Sequence, residues 1–240
     1  MGLKESGLRG SLRNVSVGID AIPDSVVDNF EDFPDGPYES GDSLSDFYSG
    51  DLGVFSRTTS DVPGDGDYAL DEDGSGNVAI ISEEGDGLPR YPEKGEIFSV
   101  LMRNNGSNSV PYFGWATTGT ENSSDGYGIK TVNDEIRFIK NDGDEPGDGE
   151  RLVEDSTGDN MVDEWIHVEV EWHDGTGSES DGTMVYNVHF YDTENNEKGS
   201  HITSGSVTDT DYDDKGIAFA LRSQEDAGTA FDDYKVIGNV

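Results

Sequence analysis

Trp165-Ile166-His167-Val168-Glu169-Val170-Glu171-Trp172, followed after a turn by Met184-Val185-Tyr186-Asn187-Val188-His189-Phe190-Tyr191, is the stretch that decides the fold. In an extended chain successive side chains point to opposite faces, so Val168, Val170 and Trp172 share one face while His167, Glu169 and Glu171 share the other. In the second run Met184, Tyr186, Val188 and Phe190 form the large apolar set, opposed by Val185, Asn187 and His189. Alternation of this kind is the mark of antiparallel strands with one face on a core and one face in water. Ile217, Phe219 and Leu221 alternate in the same way with Ala218, Ala220 and Arg222. These runs predict a sheet with an apolar inner face and an outer face of His, Glu, Asn, Arg and Ala, on which a ligand would lie.

Working outward, residues 78–82, 96–103, 112–117, 127–132, 135–140 and 230–237 are further short runs rich in β-branched and aromatic residues, separated by Gly, Asn and Asp clusters. No comparable run carries helical spacing. Regular short strands with polar turns predict an all-β sandwich or jelly roll of two antiparallel sheets. A length of 240 residues suits one such domain, and an aromatic content of 10% supplies its core.

Charge is the second strong signal. Fifty-two Asp and Glu face fifteen Lys and Arg, a formal net charge of -37, and the chain has no cysteine. Such a surface repels itself in dilute buffer, whereas in molar salt the Debye length falls to about 3 Å and the repulsion is screened. The acids are spread along the whole chain, so they form the solvated skin of a folded body adapted to brine. Phosphate binding needs clustered cations, and the charge balance therefore argues against nucleic acid. No stretch approaches the roughly 18 apolar residues of a membrane span, and no uninterrupted apolar signal core stands at the N-terminus.

Residues 1–29 differ from the rest. Lys4, Arg9 and Arg13 make the start locally basic, and Leu8, Leu12, Val15, Val17 and Ile19 supply apolar positions. This composition predicts an extended anchoring or assembly arm that docks on an acidic neighbouring subunit, with 21–24 as the hinge into a domain spanning 30–240.

The order of segments resembles the concanavalin A-like lectin/glucanase superfamily, which includes laminin-G-like domains. The resemblance rests on Asp28-Asn29-Phe30-Glu31-Asp32, Tyr112-Phe113-Gly114-Trp115-Ala116, Gly126-Tyr127-Gly128-Ile129, Asp134-Glu135-Ile136-Arg137-Phe138, the Trp165–Trp172 strand and Phe231-Asp232-Asp233-Tyr234-Lys235-Val236. It implies a jelly-roll sandwich, with a structural Ca2+ where Glu31 or Asp32 at the first strand meets Asp232 or Asp233 at the last. The lead segment 7–25 is similar to that of haloarchaeal and haloviral laminin-G-like proteins, which implies a virion or prophage structural component.

Glycosidases of this superfamily carry a Glu-x-Asp-x-x-Glu strand motif, and nothing between Tyr112 and Lys140 fits it. Glu169 and Glu171 share one face about 7 Å apart by strand geometry, but in so acidic a chain a solvated strand face explains them better than a catalytic pair. The acid-rich turns 71–76 and 142–148 resemble partial hard-cation loops without an EF-hand's terminal Glu. Sugar binding needs an aromatic platform and planar polar groups, for which Trp115, Tyr127, Arg137, His189 and Arg222 are the candidates, with Trp165 and Trp172 assigned to the core.

The sequence thus predicts a non-enzymatic, homo-oligomeric surface protein of a haloarchaeal virus, a turret, spike or tail-fibre-associated subunit, that joins other virion proteins through its arm and contacts host-surface glycans. A secreted or cell-surface glycan-binding module of a haloarchaeon, and a glycoside hydrolase, stand as alternatives.

Overall fold

In a computed structural model, residues 25–31, 38–59, 62–63, 66–72, 76–107, 109–222 and 228–240 are described. The expected arm residues Lys4, Leu8, Arg9, Leu12 and Arg13, the candidate metal ligand Asp32 and part of the 71–76 turn lie outside them. Among the described residues the chain forms fifteen strands and one short 3-10 turn, Leu44–Asp46. The strands are β1 Ser25–Asp28, β2 Ser49–Gly50, β3 Phe55–Thr58, β4 Ala69–Glu72, β5 Asn77–Glu83, β6 Glu96–Asn104, β7 Pro111–Thr120, β8 Ser123–Val132, β9 Glu135–Asp144, β10 Glu150–Ser156, β11 Trp165–Trp172, β12 Thr183–Asp192, β13 Glu197–Thr208, β14 Gly216–Arg222 and β15 Thr229–Asn239.

They make two antiparallel sheets. The front sheet has eight strands in the order β13-β12-β11-β6-β15-β4-β3, with β1 also on β15, and the back sheet has seven in the order β10-β9-β8-β7-β14-β5-β2. Pairing of β1 with β15, Ser25 opposite Val236, brings the two ends of the described chain together. Ser25–Asp28 is thus part of the front sheet.

The inward set predicted by alternation holds. Val168, Val170 and Trp172 of β11, Met184, Tyr186 and Val188 of β12, and Ile217 and Phe219 of β14 all lie in one core between the sheets. Aromatic rings tie the layers together, with Phe98 to Trp115 at 5.2 Å, Phe113 to Tyr234 at 5.6 Å and Phe219 to Phe231 at 5.0 Å between centroids. Tilted and edge-on contacts of this kind add about 0.5–1.5 kcal/mol per pair beyond the burial itself. Phe190, also expected inward, is only half-buried, near the bulges of β12.

The single outer face expected from the alternation is in fact two faces. β11 and β12 belong to the front sheet and β14 to the back, so His167, Glu169 and Asn187 face one side of the molecule and Ala218, Ala220 and Arg222 the other.

Candidate functional site

On the back sheet, Ala79, Ile81, Tyr112, Ile139, Ala218 and Ala220 form a second apolar cluster outside the main core. The turn after β9 lies over it. Arg222 donates from Nε to the carbonyl of Pro146 at 2.6 Å and from Nη1 to Glu145 Oε2 at 2.7 Å. Lys130 Nζ donates to the carbonyl of Gly147 at 2.5 Å, and Asn141 Oδ1 accepts from the N–H groups of Gly147 and Gly149, each at 3.2 Å. Burial pulls the Lys130 ammonium down to about 8, with nearby Asp148 opposing. Gly128 is required here because the Tyr112 ring crosses its Cα where a Cβ would stand. The acid-rich 142–148 turn, read from the sequence as solvated and only partly like a cation loop, lies over this patch, and its Glu145 pairs with Arg222.

That arrangement corrects several expected sugar contacts. Arg222, with a side chain 6% exposed, is held beneath that turn. Trp115 is 0% exposed between the sheets and offers no ring face to a ligand. Tyr127 is a core ring whose hydroxyl donates to Asp209 Oδ1 at 2.5 Å and accepts from Tyr212 N at 3.1 Å. Arg137, on β9, is taken up by Glu135 and by Glu154 of β10.

His189 alone of that set faces the open side. It stands opposite His167 of β11 and opposite His201 of β13, so three of the four histidines line up across adjacent strands of the front sheet. The rings of His189 and His201 meet edge to face at 5.1 Å. Burial, then the neighbouring Lys198, His189 and Lys235 charges, push the His167 imidazolium down to about 3, so the ring is neutral in ordinary buffers. His189 is also lowered, by burial and then by His201.

Beside this row runs a groove. Its first depression, about 240 Å³, has Ser99, Leu101 and His167 on the strand floor, Tyr191 and Lys198 on one side, and Asp233 and Lys235 on the other. Its second, about 260 Å³, is lined by Arg103, Trp165, Asp163 and Thr193 and shares Tyr191 with the first. A bulge in β15 places Asp233 at φ 50°, a conformation Asp tolerates, and Asp233 Oδ2 accepts from Lys235 Nζ at 2.7 Å. Across the groove Lys198 Nζ donates to Glu169 Oε2 at 2.5 Å, and the Tyr191 hydroxyl donates to Asn196 Oδ1. Trp165, expected in the core, is 6% exposed but packs outside it, with Ala69, Leu101 and Ala230 and against Tyr191. Its parity with His167 and Glu169 already implied an outward side chain.

A further depression, about 460 Å³, lies near Leu44, Leu52 and Phe55. There the Arg57 guanidinium lies over the ring of Tyr68 at 5.1 Å and over that of the buried Tyr38 at 4.5 Å.

Glu169 and Glu171, read from the sequence as a solvated strand face, each have a different basic neighbour. Glu169 is engaged by Lys198, and Glu171 faces His173 Nε2 at 3.6 Å.

Of the carboxylates expected to hold calcium, Glu31, Asp232 and Asp233 lie near where β1 meets β15, and one oxygen each of Glu31 and Asp232 accepts backbone hydrogen bonds. Glu31 Oε1 accepts from the N–H groups of Asp67 at 2.5 Å and Tyr68 at 2.8 Å, and Asp232 Oδ1 from Asp233 N at 2.7 Å. Asp28 accepts from Phe30 N at 2.8 Å and from the Tyr48 hydroxyl at 2.5 Å. Among the described residues no three His, Asp or Glu side chains are arranged to hold a metal, and Asp32, the fourth expected ligand, lies outside them. Burial raises Asp28 to about 7 against its hydrogen bonds, and raises Asp232 well above the carboxylate range, with Asp233, Glu31 and Asp28 adding repulsion.

Two solved structures share this architecture. The fold is a concanavalin A-like jelly-roll sandwich. The carbohydrate-binding module CBM66 from Bacillus subtilis is 12% identical over 78% of this chain and 92% of its own, with a TM-score of 0.50. The exoplasmic/lumenal domain of VIP36, in a form bound to Ca2+ and Man3GlcNAc, is 12% identical over 80% of this chain and 84% of its own, also with a TM-score of 0.50. At this identity the likeness is one of fold. No family model matches the chain, and no curated protein matches it.

Proposed function

We propose that this chain is a glycan-binding module without catalytic chemistry, working in concentrated brine. The observation that carries the proposal is the front-sheet groove. It sets aromatic Tyr191 beside paired donors and acceptors, Lys198 with Glu169 and Lys235 with Asp233, on rigid strands. Carbohydrate recognition needs that combination of a ring platform and planar polar groups on a preformed surface. The two similar structures, one a carbohydrate-binding module and one bound to an oligosaccharide, support the reading.

Within it, the chain is a surface subunit of a haloarchaeal virus, homo-oligomeric and joined to other virion proteins through its N-terminal arm, and its glycan is on the host surface. The net charge of -37 supports the saline setting, and the similarity of the lead segment supports the viral one. Capsid or tail genes beside its own would favour the virion over a module secreted by the host cell.

A glycan array probed with the folded protein in molar KCl tests the central claim. Retention of discrete glycans is expected, and uniform absence of signal would refute glycan binding. Far-UV circular dichroism in falling KCl tests the brine claim: loss of the β signal is expected, and a spectrum indifferent to dilute buffer would refute it.

A further inference from the structure

We infer that the groove accepts a neutral oligosaccharide of at least two sugar residues and discriminates against acidic glycans. This rests on the glycan-binding reading and names its ligand class.

Length follows from the shape. The two depressions, about 240 and 260 Å³, are each below the roughly 300–1,000 Å³ of a pocket that engulfs a drug-sized ligand, and together they reach it. Tyr191 is common to both, at the junction where a ring spanning from one to the other would stack.

Neutrality follows from the charges. Lys198 and Lys235 are each already paired with a carboxylate, at 2.5 and 2.7 Å. A sugar hydroxyl both donates and accepts, so it is served by such a pair, whereas a uronate or sulfate would meet Glu169, Asp233 and Glu197 along with the two cations. His167 points to the same ligand. It lines the groove at 9% exposure, and its Nδ1 has no hydrogen-bond partner in the protein. A buried polar atom left unsatisfied is unfavourable, and a hydroxyl reaching the floor would supply the missing partner. In brine the attraction of an exposed lysine for an anion is screened within about 3 Å, whereas stacking and short hydrogen bonds survive.

Isothermal titration in molar KCl distinguishes the outcomes. The probes are neutral gluco-, manno- and galacto-configured mono-, di- and trisaccharides, with oligogalacturonate and sialyllactose as acidic counterparts. A neutral di- or trisaccharide is expected to bind at least about tenfold more tightly than its monosaccharide and than acidic probes of equal length. In Tyr191→Ala the gain with length disappears. Lys198→Ala, at a side chain 43% exposed, weakens binding of the neutral trisaccharide as a second check. Preference for an acidic probe, or a monosaccharide bound as tightly as the trisaccharide, overturns this inference and leaves glycan binding standing. No heat with any probe, together with a blank array, removes both.

Discussion

On the back sheet the outward side chains include Ala79, Ala218 and Ala220, and the turn after β9 lies across them, pinned by Arg222 and Lys130. On the front sheet the outward side chains of β11 and β12 are Trp165, His167, Glu169, Asn187 and His189, and a groove runs beside them. Small outward residues let backbone approach closely and be buried, while bulky polar ones hold it off and keep a surface available. The difference teaches that one alternating pattern serves two ends. Apolar and small outward residues extend the core, and polar and aromatic ones leave a place for a ligand.

The largest expected effect comes from the one corner of the front sheet that is closed. Asp28 is fully buried and its folded value, about 7, lies above its ordinary 3.8. A raised carboxylate stabilises the fold below its unfolded value, and that stability is lost as pH rises from about 4 through about 7. At about 1.4 kcal/mol per unit the loss is on the order of 4 kcal/mol, and Asp232 adds in the same direction. Urea midpoints in molar KCl should therefore fall across that window, and Asp28→Asn, an uncharged isostere, should flatten the fall. A midpoint rising with pH would contradict a raised Asp28.

Next comes the seal of the back sheet. Arg222→Ala deletes the charged hydrogen bonds to Pro146 and Glu145 and exposes the small-residue patch, at a cost of about 3 kcal/mol in urea unfolding. Glycan affinity per folded molecule should be unchanged. Were affinity lost with the fold intact, the ligand would lie on the back sheet and the comparison would be reversed.

The open face should show the opposite signature. Tyr191→Ala is expected to cost at least about 1.4 kcal/mol of binding, tenfold in Kd, while the melting midpoint barely moves, because the ring is only half-buried. The smallest effect belongs to Lys198→Ala. Its pair with Glu169 is partly solvated, so unfolding should change by less than about 1 kcal/mol and neutral trisaccharide affinity by a few-fold.

Much of the sandwich was legible because alternation survives in its central strands. Trp165–Trp172 and Gly216–Arg222 fall at the bounds that the pattern predicts. Glu150–Ser156 and Glu197–Thr208 escape such reading because they are the edge strands β10 and β13. Each pairs on one side only and is largely exposed, so neither needs an apolar row. The site was legible in parity alone. That His167 and Glu169 face outward follows from their spacing to Val168 and Val170, but the row of His167, His189 and His201 joins residues far apart in sequence and depends on register. Trp115 and Tyr127 looked like sugar platforms because an aromatic residue in a strand reads alike on either face until its neighbours are known.

By itself the sequence determined the secondary structure class, the two-faced character of each central strand and a strongly acidic composition, since these depend on local alternation and residue counts. Only the tertiary structure decided which strands share a sheet, which outer face is sealed and which open, and that Asp28 and Asp232 are buried near where the first and last strands pair. Those outcomes depend on contacts between segments many residues apart, where burial and register, rather than residue type, set what a side chain can do.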